Sequence, residues 1–301
     1  MKSARLTKRR KLYFLFSSKY RYGGSTVMRG KQLSVMAKKN LRKEYDVKFV
    51  TMNQPFKDSY LFFTKMAMQE STEGQLIQFK KDNNKIFFDV NDGKIDENKI
   101  KYADSIVVSS SVGSREYKKR YPNKRIILVD HHVDPRIKPL REKGEKRKEA
   151  KIGYFGELTN TIVSERIAEI VDVIPVNTAS QNDLSWIKQI RKYNVHYAVR
   201  KKQVFDDFKP ATKVFTAAYM GANVIIQDTE EEAVSWLGQD YPYIIKGGIS
   251  EDNIIKTIQD VRSDYGNEQW SYGLEVMAEI KNKLTEDGIM SQLRELLEIK
   301  E

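Results

Sequence analysis

Short apolar runs recur along the chain, separated by polar segments that carry glycine or charge. In the first 135 residues the runs KLYFLFS (11–17), YDVKFVTM (45–52), KIFFDV (85–90), SIVVSSS (105–111) and RIILVD (125–130) are rich in β-branched and aromatic residues. Runs this short and this continuously apolar read as strands buried on both faces. Between them MRGKQLSVMAKKNLRK (28–43), DSYLFFTKMAMQESTEGQLIQFKK (58–81) and SREYKKRY (114–121) space their apolar residues as helices do. Strand and helix alternate, which predicts a parallel sheet covered by helices on both faces.

The segment DPRIKPLREKGEKRKEAK (134–151) is dense in charge and has no apolar period, as expected of a linker or exposed loop. After it the alternation restarts. KIGYFGE, DVIPVNT, VHYAVR, NVIIQD and YIIKGG are the expected strands, and VSERIAEIV, DLSWIKQIRKY, KPATKVFTAAYM and EEEAVSWL the expected helices. The last fifty residues read as helical, with apolar stripes that pack on the sheets. The resulting expectation is α/β, two Rossmann-like doubly wound domains facing across a cleft, with a helical C-terminus. Its boundaries are an N-terminal domain over 1–135, a linker over 136–150, a C-terminal domain over 151–280 and a helical tail over 281–301.

Composition narrows the partner. The formal net charge is +12, which favours an anionic partner such as nucleic acid, a phosphate-bearing metabolite or an acidic membrane surface. Cysteine is absent, so disulfides and thiolate metal sites are excluded. No apolar run approaches the roughly 20 residues that span a bilayer. The basic opening MKSARLTKRRK leads into a strand without a small-residue cleavage site, so the expected location is the cytoplasm, including the inner face of the membrane.

Chemistry concentrates in 195–232. Proline is at home in the first turn of a helix, so Lys209 and Pro210 are expected to open one, with Lys213 one turn onward. Arg200 ends the strand before it. Together with the positive end of the helix dipole, these cations would make a pocket suited to a diphosphate. The plain alternative is a proline-started surface helix with solvated lysines. Glu230, Glu231 and Glu232 open the next helix, where acidic side chains favour the dipole in any protein. Gly23 and Gly24 follow the first strand and permit a tight turn.

The order of strand ending in arginine, loop, KPATK helix, Gly221 and strand resembles the donor-binding half of the GT-B glycosyltransferases. KVFTAAYMGANVIIQDTEEEAVSWL (213–237) is similar to that family's helix, glycine and strand block followed by its acidic stretch. GGSTVMRGKQLSVMAKK (23–39) is similar to the glycine-rich turn and first helix of the acceptor domain. YADSIVVSSSVGSREYKKRYPNKRIILVDHHVDP (102–135) follows the last acceptor-domain segments, and KIGYFGEL (151–158) matches the opening of the donor domain. The resemblance implies transfer of a sugar from a nucleotide-sugar donor to a saccharide or glycolipid acceptor. The donor is a substrate, and neither metal nor other cofactor is implied. It implies donor contacts by Arg200, Lys209, Thr212, Lys213, Asp228, Thr229, Glu231 and Glu232, with Gly23 and Gly24 at the ligand. A carboxylate at the end of FFDVNDG, Asp92, is the expected general base, and His132 is expected to touch sugar or acceptor.

Three departures qualify the match. The retaining pattern places two glutamates in an E-x7-E spacing, where this chain has Phe208 and Thr216. The basic residues that usually follow the first donor-domain strand are missing, since Glu157, Leu158, Thr159 and Asn160 follow Gly156. The chain is also short for the fold. Two other classes stay open: VDHHVD (129–134) resembles the metal-ligand strand of DHH phosphoesterases, and the positive charge also suits a nucleic-acid-binding protein.

Overall fold

A computed structural model describes residues 9–137, 148–180, 184–201 and 208–299. Part of the expected linker and the first eight residues lie outside this range. The chain forms two compact units: residues 1–109, 114–129 and 290–301 make the first, and residues 110–113 and 130–289 the second.

The first unit contains strands β1 (Arg10–Phe16), β2 (Tyr45–Thr51), β3 (Ser59–Phe63), β4 (Lys85–Asn91), β5 (Ser105–Val108) and β6 (Arg125–Leu128). All pair in parallel, in the order β2-β1-β3-β4-β5-β6. Helices α1 (Leu33–Asn40), α2 (Lys65–Glu70), α3 (Glu73–Lys81), α4 (Glu97–Ile100) and α5 (Ser111–Arg120) provide the crossovers. A π-helical stretch, Thr26–Gln32, runs directly into α1. Strand β3 corrects the sequence reading, which placed residues 58–81 in one helix. The consecutive apolar Tyr60, Leu61, Phe62 and Phe63 have no period that separates a buried strand from a helix, and β3 is central, its Phe62 aligned with Phe14 of β1 and Phe87 of β4. The helical pattern begins only at Lys65, and Thr72 and Gln75 form a capping box that starts α3 as a separate helix.

The second unit contains β7 (Ile152–Gly156), β8 (Asp172–Pro175), β9 (Val195–Tyr197), β10 (Asn223–Gln227) and β11 (Ile244–Ile245), with α6 (Glu165–Ala168), α7 (Ser185–Gln189), α8 (Thr212–Met220), α9 (Glu231–Leu237), α10 (Glu251–Ser263) and α11 (Glu268–Lys283), while α12 (Glu286–Leu296) returns the chain to the first unit from Met290 onward. Its strands are parallel in the order β11-β10-β9-β7-β8. Tyr154, Tyr197, Val224, Ile225, Phe215 and Ala217 are buried in one core. Two glycines set its spacing. A side chain on Gly153 would meet the Tyr193 ring at 2.6 Å, and one on Gly273 of α11 would meet Asn223 at 2.5 Å. Gly221 ends α8 at φ +67°, a conformation that glycine adopts without strain. No helix among the described residues is long and apolar enough to cross a membrane.

Candidate functional site

In the second sheet the chain passes from β7 outward to β8, then returns past β7 to β9. The carboxyl ends of β7 and β9 therefore diverge at a topological switch point, the place where open α/β sheets bind ligands. Gly156 ends β7 there, and Arg200 stands three residues beyond β9. The buried Gln227 side chain fixes Arg200 by its backbone, accepting from its N–H and donating to its carbonyl, each at 2.9 Å. The Arg200 Nε donates to Glu230 at 2.9 Å.

Lys213 enters this corner from α8. Its ammonium lies 3.8 Å from the centroid of the Tyr154 ring and donates to the Phe155 carbonyl at 3.3 Å. A side chain on Gly156 would meet the Tyr154 hydroxyl at 2.6 Å and the Lys213 Nζ at 3.0 Å. Gly156 is thus required because a tyrosine and a lysine fill the space its side chain would occupy. Burial, then repulsion by Arg200 and Lys209, pushes Lys213 down to about 7, with Glu230 opposing. Among the described residues no carboxylate lies within ion-pairing distance of Lys213.

The start of α8 differs from the sequence reading. The helix begins at Thr212 with Ala211 as its cap, so Lys209 and Pro210 precede it and Lys213 lies in its first turn. The Pro210 carbonyl accepts from the Thr212 N–H at 2.8 Å, closing a tight turn that keeps proline out of the helix. Ala211 offers no capping side chain, which leaves the positive end of α8 to other partners. Phe208 lies in the turn before the helix, and Thr216 bonds back to the Thr212 carbonyl inside it.

The acidic triplet divides by role. Glu230 holds Arg200. Glu232 is buried: one oxygen accepts from the Ser111 hydroxyl at 2.8 Å and the Val112 N–H at 2.9 Å, and the other accepts from Trp236 at 3.0 Å. Glu231, Asp228 and Thr229 are exposed beyond the end of β10. Sequence reasoning missed Tyr154, Gly156 and Gln227, whose importance comes from strands distant in sequence.

The remaining predicted residues lie elsewhere. Asp92, in the first unit, pairs with Lys65 at 2.7 Å and accepts from Asn91 at 3.1 Å. Asn91 sits at φ +50° beside a bulge in β4. Gly23 and Gly24 lie in the turn after β1, where a methyl on Gly23 would meet the Tyr20 carbonyl at an ordinary 3.4 Å. His131 and His132 are buried with stacked rings 5.7 Å apart. No three His, Asp or Glu side chains stand together as a metal site among the described residues.

The chain aligns over its length with solved glycosyltransferase structures. A glycosyltransferase from Rickettsia africae superposes with a TM-score of 0.64 at 12% identity, covering 97% of this chain and 100% of that one. Anabaena HepE, solved with UDP and glucose, gives 0.59 at 10% identity, covering 96% and 100%. A sucrose-phosphate synthase from Thermosynechococcus elongatus gives 0.59 at 11% identity, covering 97% and 100%. The fold is the GT-B fold. No family model matches the sequence, and no curated protein matches it. Lys213 of α8 brings a cation to the turn after β7, where Glu157, Leu158, Thr159 and Asn160 follow Gly156.

Proposed function

We infer that the protein is a glycosyltransferase whose second unit binds a nucleotide-sugar by its diphosphate at the β7–β9 switch point. The observation that carries this reading is Lys213. Its ammonium is placed over Tyr154 and against the Gly156 turn, beside Arg200 and Lys209, with no carboxylate of its own. The diphosphate seats against Lys213 and the uncapped start of α8, and the exposed Glu231 is the carboxylate offered to the ribose hydroxyls. HepE, of the same fold, was solved with UDP-glucose, which supports a nucleoside diphosphate as the ligand class.

In transfer, the bond from the anomeric carbon to the diphosphate oxygen breaks while an acceptor hydroxyl attacks. Charge grows on the departing diphosphate, and fixed cations in a partly dry site stabilise it without reorganising. Lys213, Arg200 and Lys209 supply that stabilisation in place of a metal ion. The acceptor is a saccharide or a lipid-linked saccharide held by the first unit, with Asp92 taking the hydroxyl proton and the basic start of the chain resting on an anionic membrane.

A thermal-shift screen of nucleoside mono- and diphosphates tests the donor site. Any ligand that binds the folded chain raises its melting temperature by mass action. A nucleoside diphosphate is expected to do so, and Lys213→Met is expected to weaken its affinity about 10- to 100-fold, the range for losing a hydrogen bond to a charged group. An unaltered rise in Lys213→Met would remove the site from this corner, and no rise with any nucleotide would remove the function.

A further inference from the structure

The positive charge is not spread over the chain. Residues 1–43 hold 14 lysines and arginines and no acidic residue, whereas the other 258 residues carry 39 basic against 41 acidic ones. The excess of +12 therefore belongs entirely to this stretch, and the structure shows where its described part goes. The π-helical stretch Thr26–Gln32 and α1 form one continuous helical segment. Thr26, Val27, Arg29, Gly30, Leu33, Ser34 and Ala37 are its inward face.

The outward face carries Lys31, Val35, Lys38 and Lys39, spaced four, seven and eight residues from the first. Val35 is 62% exposed, the most exposed large apolar side chain described. Arg42 and Lys43 continue the basic face into the turn after α1, and the Arg9 guanidinium donates to the Arg42 carbonyl at 3.3 Å, which brings a further cation alongside. Among the described residues Lys31, Lys38, Arg42 and Lys43 form no ion pair. Glu44, the first acidic residue, faces Arg294 at 3.5 Å instead.

We propose that this face of α1, centred on Val35 and ringed by Lys31, Lys38 and Lys39, is the surface by which the first unit lies on an anionic lipid bilayer. Lysines around an exposed aliphatic residue suit the headgroup boundary, where the charge meets anionic lipid and the apolar side chain enters the acyl edge. A nucleic-acid backbone would use the lysines, but it offers an aliphatic side chain no place. The location rests on the peripheral-membrane element of the functional reading. Its test uses no sugar nucleotide, so it succeeds or fails apart from glycosyl transfer.

The test is co-sedimentation of the full chain with phosphatidylcholine vesicles, with and without phosphatidylglycerol. Binding is expected only with the anionic lipid, falling as salt rises. Lys31→Gln with Lys38→Gln is expected to weaken it about thirty-fold, from about 1 kcal/mol per basic residue at such a surface and about 1.4 kcal/mol per tenfold. Val35→Asp is expected to weaken it at least as much, with unaltered melting temperature in both variants. Val35→Trp is expected to add an emission that shifts to the blue on the vesicles. Absence of vesicle binding, equal binding by the variants, or binding to a DNA duplex in place of vesicles would each overturn the assignment.

Discussion

Each unit holds a cation near the carboxyl ends of its strands, Arg29 wholly buried and Lys213 half-buried, and the two are completed differently. In the first unit Arg29 is wholly buried, and its guanidinium donates to the Asp89 carboxylate at 2.8 and 3.1 Å and to the Val129 carbonyl at 2.8 Å. Burial pushes the Asp89 carboxyl up from its ordinary range, and Arg29 opposes it. In the second unit Lys213 has an aromatic face and one carbonyl. A fork with its carboxylate ties β4 to the segment before α1. An ammonium held down to about 7 by burial and neighbouring cations is, in the function we propose, a site whose partner comes from outside. The difference separates a structural ion pair from a proposed binding group, although both are basic residues near the carboxyl ends of parallel strands.

The largest effect expected is on folding. Arg29→Met leaves the Asp89 carboxyl buried without its partner and should cost about 3–5 kcal/mol in urea denaturation, the usual penalty for orphaning a buried charge. Arg29→Met with Asp89→Leu should recover most of that loss. If the single variant folds as stably as wild type, the two cations do not differ in the way described.

Lys213 gives a pH signature of the opposite kind. Its folded value of about 7 lies below the ordinary lysine value of 10.5, so the unfolded chain binds the extra proton between these limits. Stability from this group should therefore rise with pH from about 7 to 10.5 and stay at its full cost below 7. Lys213→Met should flatten that rise in melts taken across the range. Binding of a nucleoside diphosphate should run the other way, because the anion favours the protonated lysine, so affinity should fall above pH 7 in wild type and less in Lys213→Arg. Calorimetry in buffers of different ionisation enthalpy should show proton uptake on binding.

The smallest effect sharpens the first unit. Gly23 has room for a methyl at van der Waals distance and no positive φ, so Gly23→Ala should change stability by less than about 0.5 kcal/mol. A larger loss in thermal melts would mean that its turn is tighter than described.

How legible the site was differs residue by residue. Arg200, Lys209 and Lys213 stand out in the sequence because cations at a strand end and before an apolar helix are not needed for packing. Tyr154, Gly156 and Gln227 carry no such mark, because Gly156 looks like any strand-ending glycine until Tyr154 and Lys213 are seen in the space beside it. Glu231 and Glu232 are equal candidates for a donor contact in the sequence, and the burial of Glu232 with its three donors is a property of the packed chain. The helical reading of 58–81 failed because four consecutive apolar residues fit a buried strand as well as a helix, and only neighbouring strands decide.

Alternation of short apolar runs with amphipathic helices was enough, by itself, to determine two parallel sheets, because side-chain periodicity and the right-handed crossover leave few other ways to bury those residues. The sequence likewise set the charge excess and its position, since both are sums over residues. Strand order, and with it the switch point where Gly156 and Arg200 diverge, was decided only in three dimensions. So was the difference between Arg29 and Lys213, because whether a buried cation has a carboxylate depends on which distant strand is brought beside it.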